Sequence, residues 1–303
     1  MKIGVLSDCR MPTVREGGHG LGMTAWDIAE YLLDAKHDVR LYAGPGSEHN
    51  APVVVHADEV ARARDLVDVD VDVWIDLSHY HELSRIAPEL PVINYMMDTE
   101  CQYKPPNAVV ANKFGQDLYG GRVVKLGVRM GAFYHDPSDY LAFCGAMIAR
   151  KGFDKAMQVA MRTGKTVRFA GRAVIHREGD LQNLIPTWMG EIPDRAQFER
   201  FVGNASVLLN PSVLDSGGRV SLDAAMCGTP TLVFDVTGAQ YHVEHGVSGY
   251  VVQDVEEMAD AVRDAIRLDR ERVREWAVDN HSIYGMCSGL IAAAQAVIDG
   301  ERW

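Results

Sequence analysis

The chain has 303 residues, enough for two domains of ordinary size rather than one core. It is 47% hydrophobic and 24% charged, a globular composition, and no apolar run approaches the ~18 residues that a membrane span needs. A formal net charge of -12 with no basic cluster argues against nucleic acid and against an anionic membrane surface, since both would repel it.

The five cysteines, Cys9, Cys101, Cys144, Cys227 and Cys287, are odd in number and widely spaced. Without a CxxC pair they indicate neither a disulfide framework nor a zinc site, and a reducing, cytoplasmic setting is expected. The opening MKIGVLSD puts an apolar strand almost at residue 1 and has none of the regions of a signal peptide.

Taken in order, residues 2–7 read as a buried strand, 8–22 as a glycine-bearing loop and 23–35 as a helix with Trp26, Ala29, Leu32 and Leu33 on one side. Strands follow at 38–42, 53–55, 71–77, 91–96, 109–111 and 123–125, with a helix at 57–66. The pattern then restarts. Strands are expected at 141–144, 166–170, 207–209, from 230, and at 249–252, with helices at 152–162, 193–202 and 256–268. An Ala-rich helix covers 282–298. Strands alternating with helices predict an α/β chain of parallel sheets covered on both faces. The expected division is 1–136, then 137–281, then a C-terminal helical segment, 282–303, placed to pack back on the first domain.

The polar and glycine-rich stretches all follow strands: 8–22, 79–81, 98–103, 145–151, 171–176 and 215–218. Open parallel sheets bind ligands beyond the carboxyl ends of their strands, so two such domains facing each other predict an active site between them. Gly17-Gly18-His19-Gly20-Leu21-Gly22 would let a loop approach a phosphate before a helix start, or serve as a plain connector. It is no dinucleotide fingerprint, because Met23 stands where the last glycine is needed. His79 and His81 can contact substrate or shuttle a proton, or be exposed loop histidines; no third ligand accompanies them, and no metal is expected. Lys151, in Arg150-Lys151-Gly152, can neutralise a leaving pyrophosphate or sit in a solvated basic turn.

The richest stretch is 209–234, LNPSVLDSGGRVSLDAAMCGTPTLVF. Asp215 precedes Gly217 and Gly218, a short helix carries Asp223, and Gly228 closes it. A helix N-terminus attracts anions and carboxylates accept hydroxyl hydrogen bonds, which suits a molecule with phosphates at one end and hydroxyls at the other. The plainer reading makes Asp215 an N-cap and Asp223 a surface carboxylate. The run Asp68-Val69-Asp70-Val71-Asp72-Val73 reads as the acidic outer side of a strand entry.

LDSGGRVSLDAAMCGTP resembles the E-x7-E segment of the retaining nucleotide-sugar glycosyltransferases of family 4. EGGHGLGMTAWDIAEYLLDAKHDVRLYAG is similar to their glycine loop, first helix and following strand, and AFCGAMIARKGFDKAM to their G-R-L-x-x-x-K-G segment. FVGNASVLLNPS and FDVTGAQYHVEHGVSGYVV resemble the family's later strand and glycine run. The resemblance implies a GT-B fold, two Rossmann-like parallel-sheet domains facing across a cleft, with nucleotide on the C-terminal one and acceptor mainly on the N-terminal one. It also implies retention of configuration, no required metal and no cofactor, the nucleotide-diphosphate sugar being a substrate.

Carried over by position, Asp223 would hold the donor ribose and Asp215 the transferred sugar. The amides near Gly218, Arg219 and Val220 would approach sugar and phosphates, and Lys151 with Gly17 and Gly18 the pyrophosphate. The segment 188–192, with Gly190 and Glu191, would lie near the base. The chain departs from the pattern in using aspartate for both glutamates, Ala146 for an arginine, Met97 for a histidine and Gly217 for a phenylalanine. The expected function is therefore a retaining, metal-independent glycosyltransferase with a nucleotide-sugar donor and Asp215, Lys151 and His79 as its catalytic residues. A soluble acceptor is favoured over a lipid by the chain's acidity, and no stretch singles out an oligomeric state. The alternatives are a non-catalytic nucleotide-sugar-binding protein of the same fold, or a related epimerase or phosphorylase.

Overall fold

The computed structural model describes residues 1–15, 19–97, 101–174, 178–215, 217–236 and 238–303. The chain forms two compact units: Met1–Val128 with Ile283–Trp303, and Arg129–Ser282.

The first unit contains β1 (Lys2–Leu6), α1 (Gly20–Asp34), β2 (Asp38–Ala43), β3 (Val53–Val55), α2 (Glu59–Leu66), β4 (Val73–Asp76), α3 (Glu82–Ile86), β5 (Val92–Met96), β6 (Ala108–Val110), α4 (Lys113–Tyr119) and β7 (Arg122–Val123). Its seven strands run parallel in the order β3-β2-β1-β4-β5-β6-β7. Strands such as β1, β4 and β5 are almost continuously apolar because helices cover both faces of the sheet. In register, Leu6 lies opposite both Tyr42 and Asp76, so three strands end at one level and their following loops share one edge.

The second unit contains β8 (Leu141–Cys144), a 3₁₀ turn (Ala149–Lys151), α5 (Phe153–Thr163), β9 (Val167–Ala170), α6 (Glu178–Leu184), α7 (Arg195–Gly203), β10 (Val207–Asn210), α8 (Arg219–Met226), β11 (Thr231–Phe234), β12 (Gly249–Val252), α9 (Val255–Ile266) and α10 (Arg270–His281). Its five strands are also parallel, in the order β12-β11-β10-β8-β9. Leu141, Phe143, Phe169, Leu209 and Leu232 form the core on one face, packed with Val159, Met258 and Val262 of α5 and α9. The last helix, α11 (Ile283–Ile298), belongs to the first unit, where it packs on α1, β4 and β5. No helix among the described residues is long and apolar enough to cross a membrane.

Four helices lie where sequence patterning shows none: α3, α4, α6 and α10. The helix α4 buries no residue at all, so it leaves no apolar stripe to read. The helix α10, RERVREWAVDNH, buries only Val273, Ala277 and His281, one residue per turn. Its start is fixed by Asp269, whose side chain accepts from the amides of Glu271 and Arg272. The first helix begins at Gly20 rather than at 23, because Leu21 and Gly22 are buried and packing overrides glycine's poor helix propensity.

Arg270 ties α10 into its unit. Its Nε donates to the Tyr134 carbonyl at 2.9 Å, one Nη to the Ala205 carbonyl at 3.0 Å and the other to the Gly203 carbonyl and to Thr229 Oγ1 at 2.7 Å. Burial pushes its guanidinium pKa down to about 10, still charged at neutral pH. Removing the fork strands several buried acceptors. Arg270→Met should cost about 2–3 kcal/mol in urea denaturation, and Arg270→Lys, with one donor site instead of a fork, should recover only part of that.

Candidate functional site

In the second unit a cation and a carboxylate meet where β8 and β10 give way to loops. After β8 the chain makes the 3₁₀ turn Ala149–Lys151 and enters α5 through Gly152. Gly152 has φ +77°, and a Cβ there would meet the Pro211 carbonyl at 2.1 Å. Only glycine allows the turn to press against the loop after β10. The amide of Val213 then donates to the Arg150 carbonyl at 3.0 Å. These contacts bring Lys151 and Asp215 together, with Nζ 2.8 Å from Oδ2.

The other oxygen of Asp215, Oδ1, accepts from the amides of Gly217 at 3.3 Å and Gly218 at 2.9 Å. It is therefore no N-cap; Gly218 holds that place, at φ +51°, without a side-chain bond to the helix. A Cβ on Gly218 would lie 2.7 Å from that of Ala239. Burial opposes ionisation of Asp215, but the Lys151 charge and hydrogen bond and the two amides outweigh it and hold the carboxyl below its ordinary range.

Asp223, one turn into α8, is buried rather than a surface carboxylate. Its Oδ1 receives Arg195 from α7 at 2.9 Å, and its Oδ2 lies 3.5 Å from Arg219 Nε. Arg195 also bonds Glu199 at 2.6 Å. Burial works against the Arg195 charge, and Asp223 and Glu199 outweigh it, raising its pKa. Sequence reading missed Arg195 altogether. Its visible signal was the Arg195/Glu199 spacing of four on a predicted helix.

Along β9 the chain returns as an extra edge. The amide of Met189 donates to the Phe169 carbonyl at 2.8 Å, and that of Gly171 to the Gly190 carbonyl at 2.8 Å. Trp188 is buried and its indole N–H donates to the Gly171 carbonyl at 2.9 Å. Gly190 turns the chain at φ +76°, leaving Glu191 exposed. Val220 follows Arg219 in the first turn of α8.

His79 lies in the first unit, beyond β4, with Nε2 3.3 Å from Oδ2 of the buried Asp8. His81 is buried and immediately precedes α3, so the two histidines are not a matched exposed pair. Gly17 and Gly18 lie outside the described residues. Among the described residues no group of three or more His, Cys, Asp or Glu is arranged to hold a metal ion.

Residues 138–267, most of the second unit, match the family model described as glycosyl transferases group 1. No curated protein sequence matches the chain. The fold is similar to that of AviGT4, a glycosyltransferase involved in avilamycin A biosynthesis, at TM-score 0.80 and 20% identity over 100% of this chain and 99% of that one. It is also similar to Anabaena HepE in complex with UDP, at TM-score 0.76 and 16% identity over 98% and 100%. WaaG, a glycosyltransferase of lipopolysaccharide biosynthesis, gives TM-score 0.70 and 15% identity over 99% and 100%. The architecture is that of GT-B glycosyltransferase structures, two parallel-sheet α/β domains.

The Asp215 pair makes stability depend on acid. Its carboxyl titrates lower folded than unfolded, where about 3.9 is usual. Its contribution is therefore complete at neutral pH and is lost as pH falls through the folded value. Urea denaturation between pH 7 and pH 3 should show a shallower decline for Asp215→Asn than for the native chain.

Proposed function

We propose that the chain is a retaining glycosyltransferase that moves a sugar from a nucleotide-diphosphate sugar to an acceptor hydroxyl. One observation carries this most: Lys151 and Asp215, 2.8 Å apart where the loop after β10 leads into α8, offer a cation and a carboxylate at one point. The family match covers that segment.

Breaking the bond from the sugar C1 to the diphosphate sends its electron pair to the phosphate oxygen. Lys151, Arg219 and the amides near Gly218 and Val220 supply positive potential for that charge. The acceptor oxygen forms the new bond on the same face, and its proton passes to the departing phosphate. Asp215 accepts hydroxyls of the transferred sugar. Asp223 accepts the ribose hydroxyls; a carboxylate has about four acceptor sites, so two guanidinium contacts leave capacity. Gly190 and Glu191 border the base, Gly17 and Gly18 belong to the pyrophosphate loop, and His79 is the acceptor-side contact. No metal or further cofactor enters this scheme. The acceptor is a soluble hydroxyl compound met in the cytoplasm.

A second reading is a donor-binding protein without turnover. It is favoured by Ala146, which brings no charge to the place where the family pattern has an arginine. Release of nucleoside diphosphate decides between the two.

UDP-glucose is the first donor to test, since HepE is also known in complex with it. A donor present at 100 times its Kd should stabilise the chain by about 2.7 kcal/mol in thermal denaturation. Asp223→Asn should weaken that donor about 10- to 100-fold, the worth of a charged hydrogen bond. If no nucleotide sugar in a broad panel raised the melting temperature, the reading would fail.

A further inference from the structure

The C-terminal edge of the first sheet holds a cluster of charged side chains that donor chemistry leaves unused. Asp76, the last residue of β4, is fully buried. Its Oδ1 accepts from the amide of Ser78 at 2.8 Å and from the Ser78 hydroxyl. Its Oδ2 lies 3.7 Å from Nδ1 of His81, itself 1% exposed and in the left-handed conformation at φ +50°. Asp76 therefore closes the turn 78–81 at Ser78 and faces His81 at its far end without a hydrogen bond.

The middle of the turn is held from two other elements. The amide of Tyr80 donates to Glu59 of α2 at 3.0 Å. Oδ2 of Asp8, from the loop after β1, meets Nε2 of His79 at 3.3 Å, while its Oδ1 accepts from the Arg10 amide at 2.8 Å. Beneath these, buried Arg62 of α2 donates to the Ser7 carbonyl at 2.7 Å and locks the end of β1. Arg10 lies over the Tyr80 ring, 5.6 Å from its centroid, and Cys9 is buried beside Asp8. A backbone in the left-handed region costs free energy for a residue other than glycine and persists where its surroundings over-determine it.

We propose that Asp8 and Asp76 are the positioning residues of His79: Asp76 fixes the turn that carries it, and Asp8 fixes its ring and the nitrogen that bears the proton. This rests on His79 being the acceptor-side contact. With Nε2–H donated to Asp8, the imidazole orientation and tautomer are set before an acceptor hydroxyl arrives, as a carboxylate does for a catalytic histidine. Neither aspartate need touch the acceptor.

The test uses the full chain. His79→Gln assigns the His79 ring signals in heteronuclear NMR. In the native protein those signals should report an Nε2-protonated ring. In Asp8→Asn the His79 titration midpoint should fall, because the carboxylate that favours the imidazolium is gone. In Asp76→Asn it should move in the same direction as the turn loosens. UDP-glucose hydrolysis, with water as acceptor, gives the second readout: Asp8→Asn should lower kcat by about 100-fold, the scale of an ångström misplacement, with KM for UDP-glucose unchanged. A His79 titration identical in the native chain and in Asp8→Asn overturns the proposal. So does an unchanged kcat in an Asp8→Asn protein whose His79 signal has moved. If Asp76→Asn does not fold, Asp8→Asn decides by itself. A native chain that neither binds nor hydrolyses UDP-glucose counts against that donor within the glycosyltransferase reading, while the NMR arm still tests the positioning.

Discussion

An ionised carboxylate just past the end of a parallel strand is the interaction on which both candidate sites depend. Where a parallel strand ends, the next amides lose their ladder partners and must find acceptors. Asp8 after β1, Asp76 at the end of β4 and Asp215 after β10 answer this in one way. Oδ1 accepts a backbone N–H two or three residues on, at 2.8, 2.8 and 2.9 Å. Oδ2 then faces a basic group: His79, His81 or Lys151. One side chain thus closes the turn and aims the base. All three carboxyls are held below their ordinary range, because burial is outweighed by these partners.

The same logic explains how a chain of net charge -12 gathers cations beside the start of α8. In the second unit each of the two motif acids is matched by a cation. Lys151 is placed by Asp215, and Arg195 and Arg219 flank Asp223. Buried or half-buried, those cations would be costly without a carboxylate, and the carboxylates would be costly without them. The pairs therefore hold positive charge in place at the α8 turn while leaving the carboxylates spare acceptor capacity.

The sheet and its polar edge were legible because their signals are local. Apolar runs such as LAFC and VLLN mark strands buried on both faces, and glycines mark the turns after them. What escaped reading were features made by packing. Arg195 meets Asp223 across 28 residues, and Arg62 meets Ser7 across 55, so neither spacing is visible along the chain. Asp8 meets His79 across 71 residues, so that pairing too is invisible along the chain. Short helices such as α4, which bury nothing, have no period to detect.

The choice of aspartate at 215 also acquires a physical account. Closing a bond from a side-chain oxygen to the amide two or three residues on suits the short arm of aspartate, and aspartate is the acid enriched in such turns. A glutamate arm is one methylene longer. It would carry its oxygens past the Gly217 and Gly218 amides and release the turn that Gly152 presses into place through Pro211. Gly217 adds no side chain at the same point, and its amide folds back on the carboxylate. The short acid and the bare glycine thus act together: the Gly217 and Gly218 amides close on Asp215, and Lys151 completes the pair.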